Sequence, residues 1–246
     1  MAAYNGARWL PEQLGSILEQ LDPRDEVVVV DDASTDDTRA VLAAVEDARL
    51  RVVRHPRNLG YVRTFADAMS AARGELILLA DQDDVWEPGR VGALVAALQG
   101  SDVVAGNVGV LGGPDALRGP YGQQRWRLRA ADSRRRARNV VGILAGNRPY
   151  YGCAMGLRRE ALDRVLPFPA YLTESHDLWI ALYGNLAGSI THLDQVVVRR
   201  RFHDSNASPS RPRGVVAALR SRLLLLRCSA ELLRQRRGRG SVRPSR

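Results

Sequence analysis

Apolar runs and polar turns alternate along this chain in a regular order. Met1 to Asn5 ends a strand that runs into a turn at Asn5-Gly6. From Trp9 to Gln20, Leu10, Leu14, Ile17, Leu18 and Leu21 recur at helical spacing, and Asp22-Pro23 stops the helix. Glu26 to Val30 is a β-branched run, as expected of a strand covered on both faces. The pattern then predicts a helix over Thr38 to Val45, a short strand over Arg51 to Arg54, a turn at Asn58-Leu59-Gly60 and a helix over Val62 to Ala72. Glu75 to Ala80 is the next strand, Pro88 to Gln99 a helix, and Asp102 to Gly106 the start of a further strand.

This alternation is an α/β pattern. It implies a Rossmann-like, mostly parallel, doubly wound sheet with helices on both faces. Right-handed crossovers carry the loop after each strand to one sheet edge. Asn5, Asp31, Asp32 and the run Asp81 to Asp84 are therefore expected to converge. From Gly109 to Ala137 the chain is rich in Gly, Pro and Arg, and reads as an irregular, mobile loop suited to closing over a site. Ala161 to Val165 and His176 to Leu186 read as helices, and Val196 to Phe202 as a strand. Val215 to Leu233 reads as an amphipathic, arginine-rich helix, and residues 236–246 as a disordered basic tail. Residues 1–206 would form one domain, with halves 1–106 and 107–206, and 207–246 a basic C-terminal helix and tail.

Composition changes little in this picture. A chain of 246 residues, 45% apolar, can bury one large core. It has no run of about eighteen apolar residues and no visible secretory signal. Cys153 and Cys228 are too few for a disulfide framework and lack metal-site spacing, which points to a reducing, cytoplasmic setting. The net charge is +9, with no lysine, so all 36 basic residues are arginine. Arg134, Arg135, Arg136 and Arg138 form one cluster, Arg199, Arg200 and Arg201 another, and the stretch from Arg211 adds more. Basic patches bind nucleic acid or anionic lipid. No nucleic-acid motif accompanies them, so nucleic acid is not an expected partner. The stripe from Leu219 to Leu233 either packs on the domain or lies on a membrane interface. The second case would place the protein at the inner face of the cell membrane.

Four segments carry candidate chemistry. Asp81-Gln82-Asp83-Asp84 follows the apolar run Leu76 to Ala80, at the strand end where open α/β sheets bind ligands. Carboxylates this close repel unless a cation or proton offsets them, and Mg²⁺ or Mn²⁺ favours oxygen ligands and phosphates. The plain alternative is an Asp-rich turn. Val27 to Val30 likewise delivers Asp31 and Asp32, one of which could accept the N–H of a pyrimidine base. Helix capping by Ser34, Thr35 or Asp36 is the alternative, and it leaves Asp31 and Asp32 unexplained. Asp177, in Ser175-His176-Asp177-Leu178-Trp179, reads as a helix cap or as a general base, with Glu174 in reserve. In Arg201-Phe202-His203, the histidine suits a metal and the arginine a phosphate.

Several motifs in order resemble the family 2 glycosyltransferases, nucleotide-sugar-dependent enzymes of the GT-A fold. They are Met1-Ala2-Ala3-Tyr4-Asn5-Gly6, the valine run with Asp31-Asp32-Ala33-Ser34-Thr35-Asp36, Asn58-Leu59-Gly60, and Arg73-Gly74-Glu75 ahead of Asp81-Gln82-Asp83-Asp84. The likeness covers about residues 1–106 closely and 140–206 loosely. The variant Asp-Gln-Asp-Asp-Val-Trp resembles the rhamnosyltransferase-like branch.

The resemblance implies a role for each matching residue. Ala3 and Tyr4 border the nucleotide, Asp31 and Asp32 lie at its base with Asp32 reading it, and Asn58 and Gly60 flank the donor. Asp81 lies near the ribose, Asp83 and His203 hold the metal on the diphosphate, and Asp84 stands behind. Arg201, from a segment like the family's Arg-x-His-x-x-Asn (Arg201 to Asn206), holds phosphate. Arg63 contacts the diphosphate or stays a solvated helix arginine. Asp177 is the base. Gly152-Cys153-Ala154-Met155 resembles the segment lining the acceptor side, with Cys153 a packed residue and not a nucleophile.

The implied reaction is inverting, Mg²⁺- or Mn²⁺-dependent transfer from a UDP- or dTDP-linked sugar to a saccharide or lipid-linked saccharide hydroxyl, in cell-surface polysaccharide or glycolipid synthesis. Two rivals remain: another Mg²⁺-dependent nucleotidyl- or phosphoryl-transferase, and a membrane-associated nucleotide-sugar-binding protein without turnover. In family members a whole strand precedes the Ala-Ala-Tyr-Asn-Gly segment. Here Met1 begins almost at its end, which is expected to leave unpaired ladder groups beside the site.

Overall fold

The computed structural model describes residues 1–203 and 214–240. Three parallel strands, β1 (Ala2–Ala3), β2 (Val27–Asp31) and β3 (Leu50–Arg54), form one sheet in that order. Its register sets Ala3 opposite Asp31, and Asp31 opposite Arg54. Every residue of β2 is buried, as its unbroken valine run requires. A second sheet holds β4 (Leu76–Leu78), β5 (Val85–Trp86), β6 (Val103–Val110), β7 (Met155–Arg158) and β8 (Ile190–Arg200), in the order β4-β7-β6-β8-β5. Only β6 and β8 pair in parallel there.

Helices cover both faces. On one side α1 (Leu10–Leu18), α2 (Thr38–Ala43) and α4 (Arg90–Leu98) bury Leu10, Leu14, Ile17, Leu42, Leu94 and Leu98. On the other, α3 (Tyr61–Ala71), α5 (Arg136–Leu144), α6 (Leu162–Val165), α7 (His176–Ala187) and α8 (Val215–Gly240) close a second core around Phe65, Ile143, Trp179 and Leu225. Helix α7 is apolar on nearly all sides because β6, β8, α5 and α8 all contact it.

The structure departs from the sequence pattern in four places. First, β4 and β6 are not neighbours, because β7 lies antiparallel between them. Its sequence Met155-Gly156-Leu157-Arg158 has no β-branched residue, so nothing marked it as a strand. Second, β8 starts six residues ahead of Val196, on the polar stretch that follows Ile190, since pairing with β6 overrides its polarity. Third, segment 109–137 is irregular but anchored. The Asn107 amide donates to Leu128 O and Leu193 O, at 3.1 and 2.8 Å, and accepts from Leu128 N–H. Fourth, α8 runs on to Gly240, because Arg and Gln favour helix. That contradicts the disordered tail for residues 236–240. Residues 241–246, together with Asp204, Ser205, Asn206 and Arg211, lie outside the described residues.

A cleft of about 640 Å³ separates β2 from β4, lined by Met1, Val27, Val28, Leu76, Ile77 and Leu79 among others. The Met1 ammonium is buried there and donates to Val28 O at 2.8 Å. Burial pushes its pKa down to about 5.

Candidate active site

Three loops meet at the carboxyl edge of β1, β2 and β4, as the crossover rule requires. Tyr4 N–H donates to Gln82 Oε1 at 2.8 Å, and Gln82 Nε2 returns a bond to Tyr4 O. Asn5 N–H donates to Ser34 Oγ, and Thr35 N–H to Asn5 Oδ1. A Cβ at Gly6 would meet the Gln82 amide, so a larger residue there would displace Gln82 from its bonds to Tyr4. Asn5, Ala33 and Ser175 hold positive φ of 50°, 61° and 62°. They are the non-glycine residues with this strain among the described ones, and all three sit in loops of this region.

Asp31 and Asp32 are both buried. Asp31 Oδ1 accepts the Ser34 N–H, which shapes the loop after β2. Asp32 accepts the N–H groups of Leu59 and Gly60, each at 2.8 Å, and meets His55 Nδ1 at 2.7 Å. The Asp32 carboxylate thus holds the Asn58-Leu59-Gly60 turn, where Gly60 takes a φ of 85°. His55 also reaches Asp67 at 3.2 Å, and Asp67 pairs with Arg63 at 3.0 Å. Arg63 is 63% exposed and directed to Asp67, in keeping with a solvated helix arginine. A cavity of about 680 Å³ borders Gly60 and Arg63 on the outer side of α3 but does not reach Asp81, Asp83 or Asp177.

The acidic turn is the electrostatic centre. Burial and mutual repulsion push the carboxyl groups of Asp81 and Asp84 above their ordinary range. Arg200 is their main nearby cation, largely buried and 5.5 Å from the Tyr151 ring. Asp84 Oδ1 accepts the Arg201 N–H at 3.2 Å, and the Cys153 thiol hydrogen-bonds Asp84. Arg201 donates to Asp83 O, pairs with Glu12 and lies 4.7 Å over the Trp9 ring. Beneath the turn Arg90, 1% exposed, donates to Leu79 O and stacks 4.1 Å over Trp86.

Two donor groups suit a divalent ion. His203 Nε2 lies 2.8 Å from Asp83 Oδ2 while its ring stacks on Trp9. Asp81, Asp84 and Cys153 offer ligand atoms all within 4.8 Å of one another. Burial holds the Cys153 thiol well above its ordinary pKa, so it stays protonated at neutral pH. The remaining carboxylate oxygens of Asp81, Asp83 and Asp84 are the hard donors that divalent cations take, with the His203 imidazole beside them.

Asp177 opens α7. Its carboxylate accepts the N–H groups of Leu178, at 2.8 Å, and Gly152. Burial nonetheless pushes its pKa up to about 6, and it interacts electrostatically with Arg200 and Asp81. Beside it, buried His176 stacks on Phe65 at 4.3 Å, and burial pushes its pKa down to about 3, so the ring is neutral.

Ala3, Tyr4, Asp31, Asp32, Asn58, Gly60, Asp81, Asp83, Arg201 and His203 therefore share one connected edge. Arg63 stands at its margin, and Asp177 lies within electrostatic reach of both Arg200 and Asp81. Sequence reasoning missed Arg200 and His55. Arg200 was hidden among its neighbours, since Arg199, Arg200 and Arg201 read as one basic run and only the fold shows which of them offsets Asp81 and Asp84. His55 directly follows β3, the same position that singled out Asp32 after β2.

The family model for "Glycosyl transferase family 2" matches residues 1–166. An uncharacterized glycosyltransferase of Nostoc sp. is 29% identical over 212 residues, covering 82% of this chain and 63% of that protein. The succinoglycan biosynthesis protein ExoU of Rhizobium meliloti is 30% identical over 174 residues, covering 67% and 49%. This chain thus spans less than two thirds of either relative. The crystal structure of S. aureus TarS 1-349 in complex with UDP-GlcNAc superposes with a TM-score of 0.65 at 19% identity, over 94% of this chain and 70% of that one. At that identity the likeness is one of fold.

Proposed function

We propose a reaction for a chain that belongs to glycosyltransferase family 2. The protein moves a sugar from a nucleoside diphosphate sugar to an acceptor hydroxyl, with inversion, in the synthesis of a cell-surface polysaccharide or glycolipid. One observation carries this assignment. The pair Asp83–His203, 2.8 Å apart, sits on an edge shared with the Asp31-Asp32 loop, while a further acid, Asp177, shares Arg200 with the acidic turn and has its pKa raised to about 6. That divides the site into an ion-binding donor side and a basic acceptor side. Residues 1–106 would form the donor half and 107–206 the acceptor half.

The donor is UDP- or dTDP-linked. TarS, which shares the fold, was crystallised with UDP and with UDP-GlcNAc. Ala3, Tyr4, Asp31, Asp32, Asn58 and Gly60 border the base and ribose, with Asp81 beside the ribose. Asp32 Oδ1 already meets His55 and Leu59 N–H, so base reading would use the second lone pair of Oδ2, which also accepts the Gly60 N–H. Asp83 and His203 would hold Mg²⁺ or Mn²⁺, and such an ion neutralises the charge of a departing diphosphate. Arg201, fixed over Trp9, adds a cation on that side, and Arg63 adds one at the margin.

Asp177 takes the proton of the acceptor hydroxyl. The freed oxygen pair bonds to the anomeric carbon as the bond to the diphosphate breaks on the opposite face. A positioned base with a pKa near 6 is ionised at neutral pH yet basic enough to accept that proton. The acceptor is a saccharide or lipid-linked saccharide, in line with the succinoglycan role named for ExoU. Proton NMR on α-linked UDP- and dTDP-sugars follows the anomeric centre of the transferred or hydrolysed sugar. A β product in the first turnovers is expected. An α product would rule out single-displacement inversion, and release of the sugar 1-phosphate would turn the assignment to nucleotidyl transfer.

A further inference from the structure

Helix α8 has two apolar faces. One carries Ser221, Leu225, Cys228, Ser229 and Leu232, all buried, against α7 and α5. The other carries Val216, Leu219, Leu223, Leu226 and Leu233, which are 64, 59, 67, 51 and 41% exposed. Those five, with exposed Ala230, follow spacings of three and four residues. They therefore form one straight seam about 25 Å long at 1.5 Å per residue. Five large aliphatic side chains in one unbroken stripe form an apolar patch that calls for a covering.

Charge decides what covers the seam. Exposed Arg220, Arg227 and Arg234 line one side of it. Arg222 and Arg236 lie on the other, held inward near Gly146 and at Leu186 O. Residues 214–240 hold seven arginines against a single acid, Glu231. A second copy of the helix would set arginine against arginine across the seam in either orientation, which disfavours self-pairing. The neighbouring α5, which also contacts α8, begins at the basic cluster Arg134 to Arg138. A long apolar stripe with a basic margin matches an anionic lipid surface, where aliphatic groups enter the acyl boundary and arginines meet headgroups. Among the described residues no helix is long and apolar enough to cross a membrane, so contact would be in the plane.

We propose that the exposed seam of α8, Val216 to Leu233, docks this protein on an anionic membrane surface. Arg227, stacked 3.7 Å over Tyr171, and Arg220 and Arg234 would form the headgroup contact. This surface is independent of the proposed reaction, and its test needs no activity.

The test is co-sedimentation of the whole chain with vesicles of phosphatidylcholine alone or with added phosphatidylglycerol. Binding to the anionic vesicles only, weakened by salt, is expected. Leu219→Ser/Leu223→Ser should lower the partition coefficient at least about tenfold, since each buried aliphatic group contributes to insertion. Arg220→Gln/Arg234→Gln should lower it on anionic vesicles only. These side chains are exposed, so the variants should melt with the parent. A single variant, Leu226→Ser, with a smaller expected loss, replaces any that does not. Absence of binding to anionic vesicles, or equal binding by parent and leucine variants, would overturn the proposal. So would a concentration-dependent dimer abolished by Leu219→Ser/Leu223→Ser, which would give the seam to a second copy.

Discussion

Asp177→Asn is expected to lower kcat by about a thousandfold, in the middle of the range a positioned general base supplies. The substitution is close to isosteric. Its amide oxygen can still accept the N–H groups of Leu178 and Gly152 that fix the aspartate. Helix α7 continues from this point into a core built on Trp179, Ile180 and Leu182, none of which touches the change in charge. Donor binding should persist, so the loss falls on turnover and not on donor affinity. The parent adds a second signature. Burial raises the Asp177 pKa to about 6, and the base works only when ionised. Activity should therefore rise through about pH 6 to a plateau, and fall tenfold per unit below it. The sign for stability is opposite. A carboxyl with a raised folded pKa stabilises the fold less once pH exceeds that value, because the buried charge remains. Asp177→Asn should then melt no lower than the parent at pH 8. Steady-state kinetics and melts on both proteins check the pair of outcomes. Normal turnover in the variant would place the base elsewhere, with Glu174 the next acid in the chain.

Asp83→Asn is expected to remove the effect of Mn²⁺ or Mg²⁺ on donor binding and to lower turnover by at least about a hundredfold, as loss of a Lewis-acid contact does. Asp83 meets His203 at the donor edge, and its backbone carbonyl accepts from Arg201. The carbonyl bond survives the substitution, so the turn keeps its path while the ion loses a charged ligand. The neighbours sharpen the expectation. Asp81 and Asp84 lie close enough to repel each other, and Arg200 offsets them only in part. A divalent ion nearby would lower the raised carboxyl pKa values of Asp81 and Asp84. Calorimetry with and without chelator reads this directly. Metal-dependent binding retained by Asp83→Asn would move the ion to Asp81 and Asp84.

The sequence carried the N-terminal half, residues 1–106, well, for a physical reason. Each strand there is a compact apolar run followed at once by its polar cargo: Val27 to Val30 then Asp31, Leu76 to Ala80 then Asp81. Period and crossover handedness then suffice to bring the cargo to one edge, and the hydrogen bonds Tyr4–Gln82 and Asn5–Ser34 are that convergence. The stretch after residue 106 was less legible because its order is set by pairing and not by pattern. Met155 to Arg158 becomes a strand only by filling the gap between β4 and β6. The start of β8 is polar yet runs beside β6, and Asn107 pins a loop whose own sequence suggests mobility. Single residues were lost similarly. Arg199, Arg200 and Arg201 stand side by side, so position alone could not single out Arg200. The work of Asp32 in holding Leu59 and Gly60 depends on two loops meeting, which no local pattern reports.

The central claim is that this edge binds a pyrimidine nucleoside diphosphate through a divalent ion. The most direct measurement is calorimetric titration of UDP, dTDP, GDP and ADP into the folded protein, in Mn²⁺ or Mg²⁺ and again in chelator. Tight binding of UDP or dTDP that needs the metal, with GDP and ADP far weaker, is the predicted result. Equal binding of all four nucleotides, or binding of none by a protein whose melt shows it folded, would contradict it.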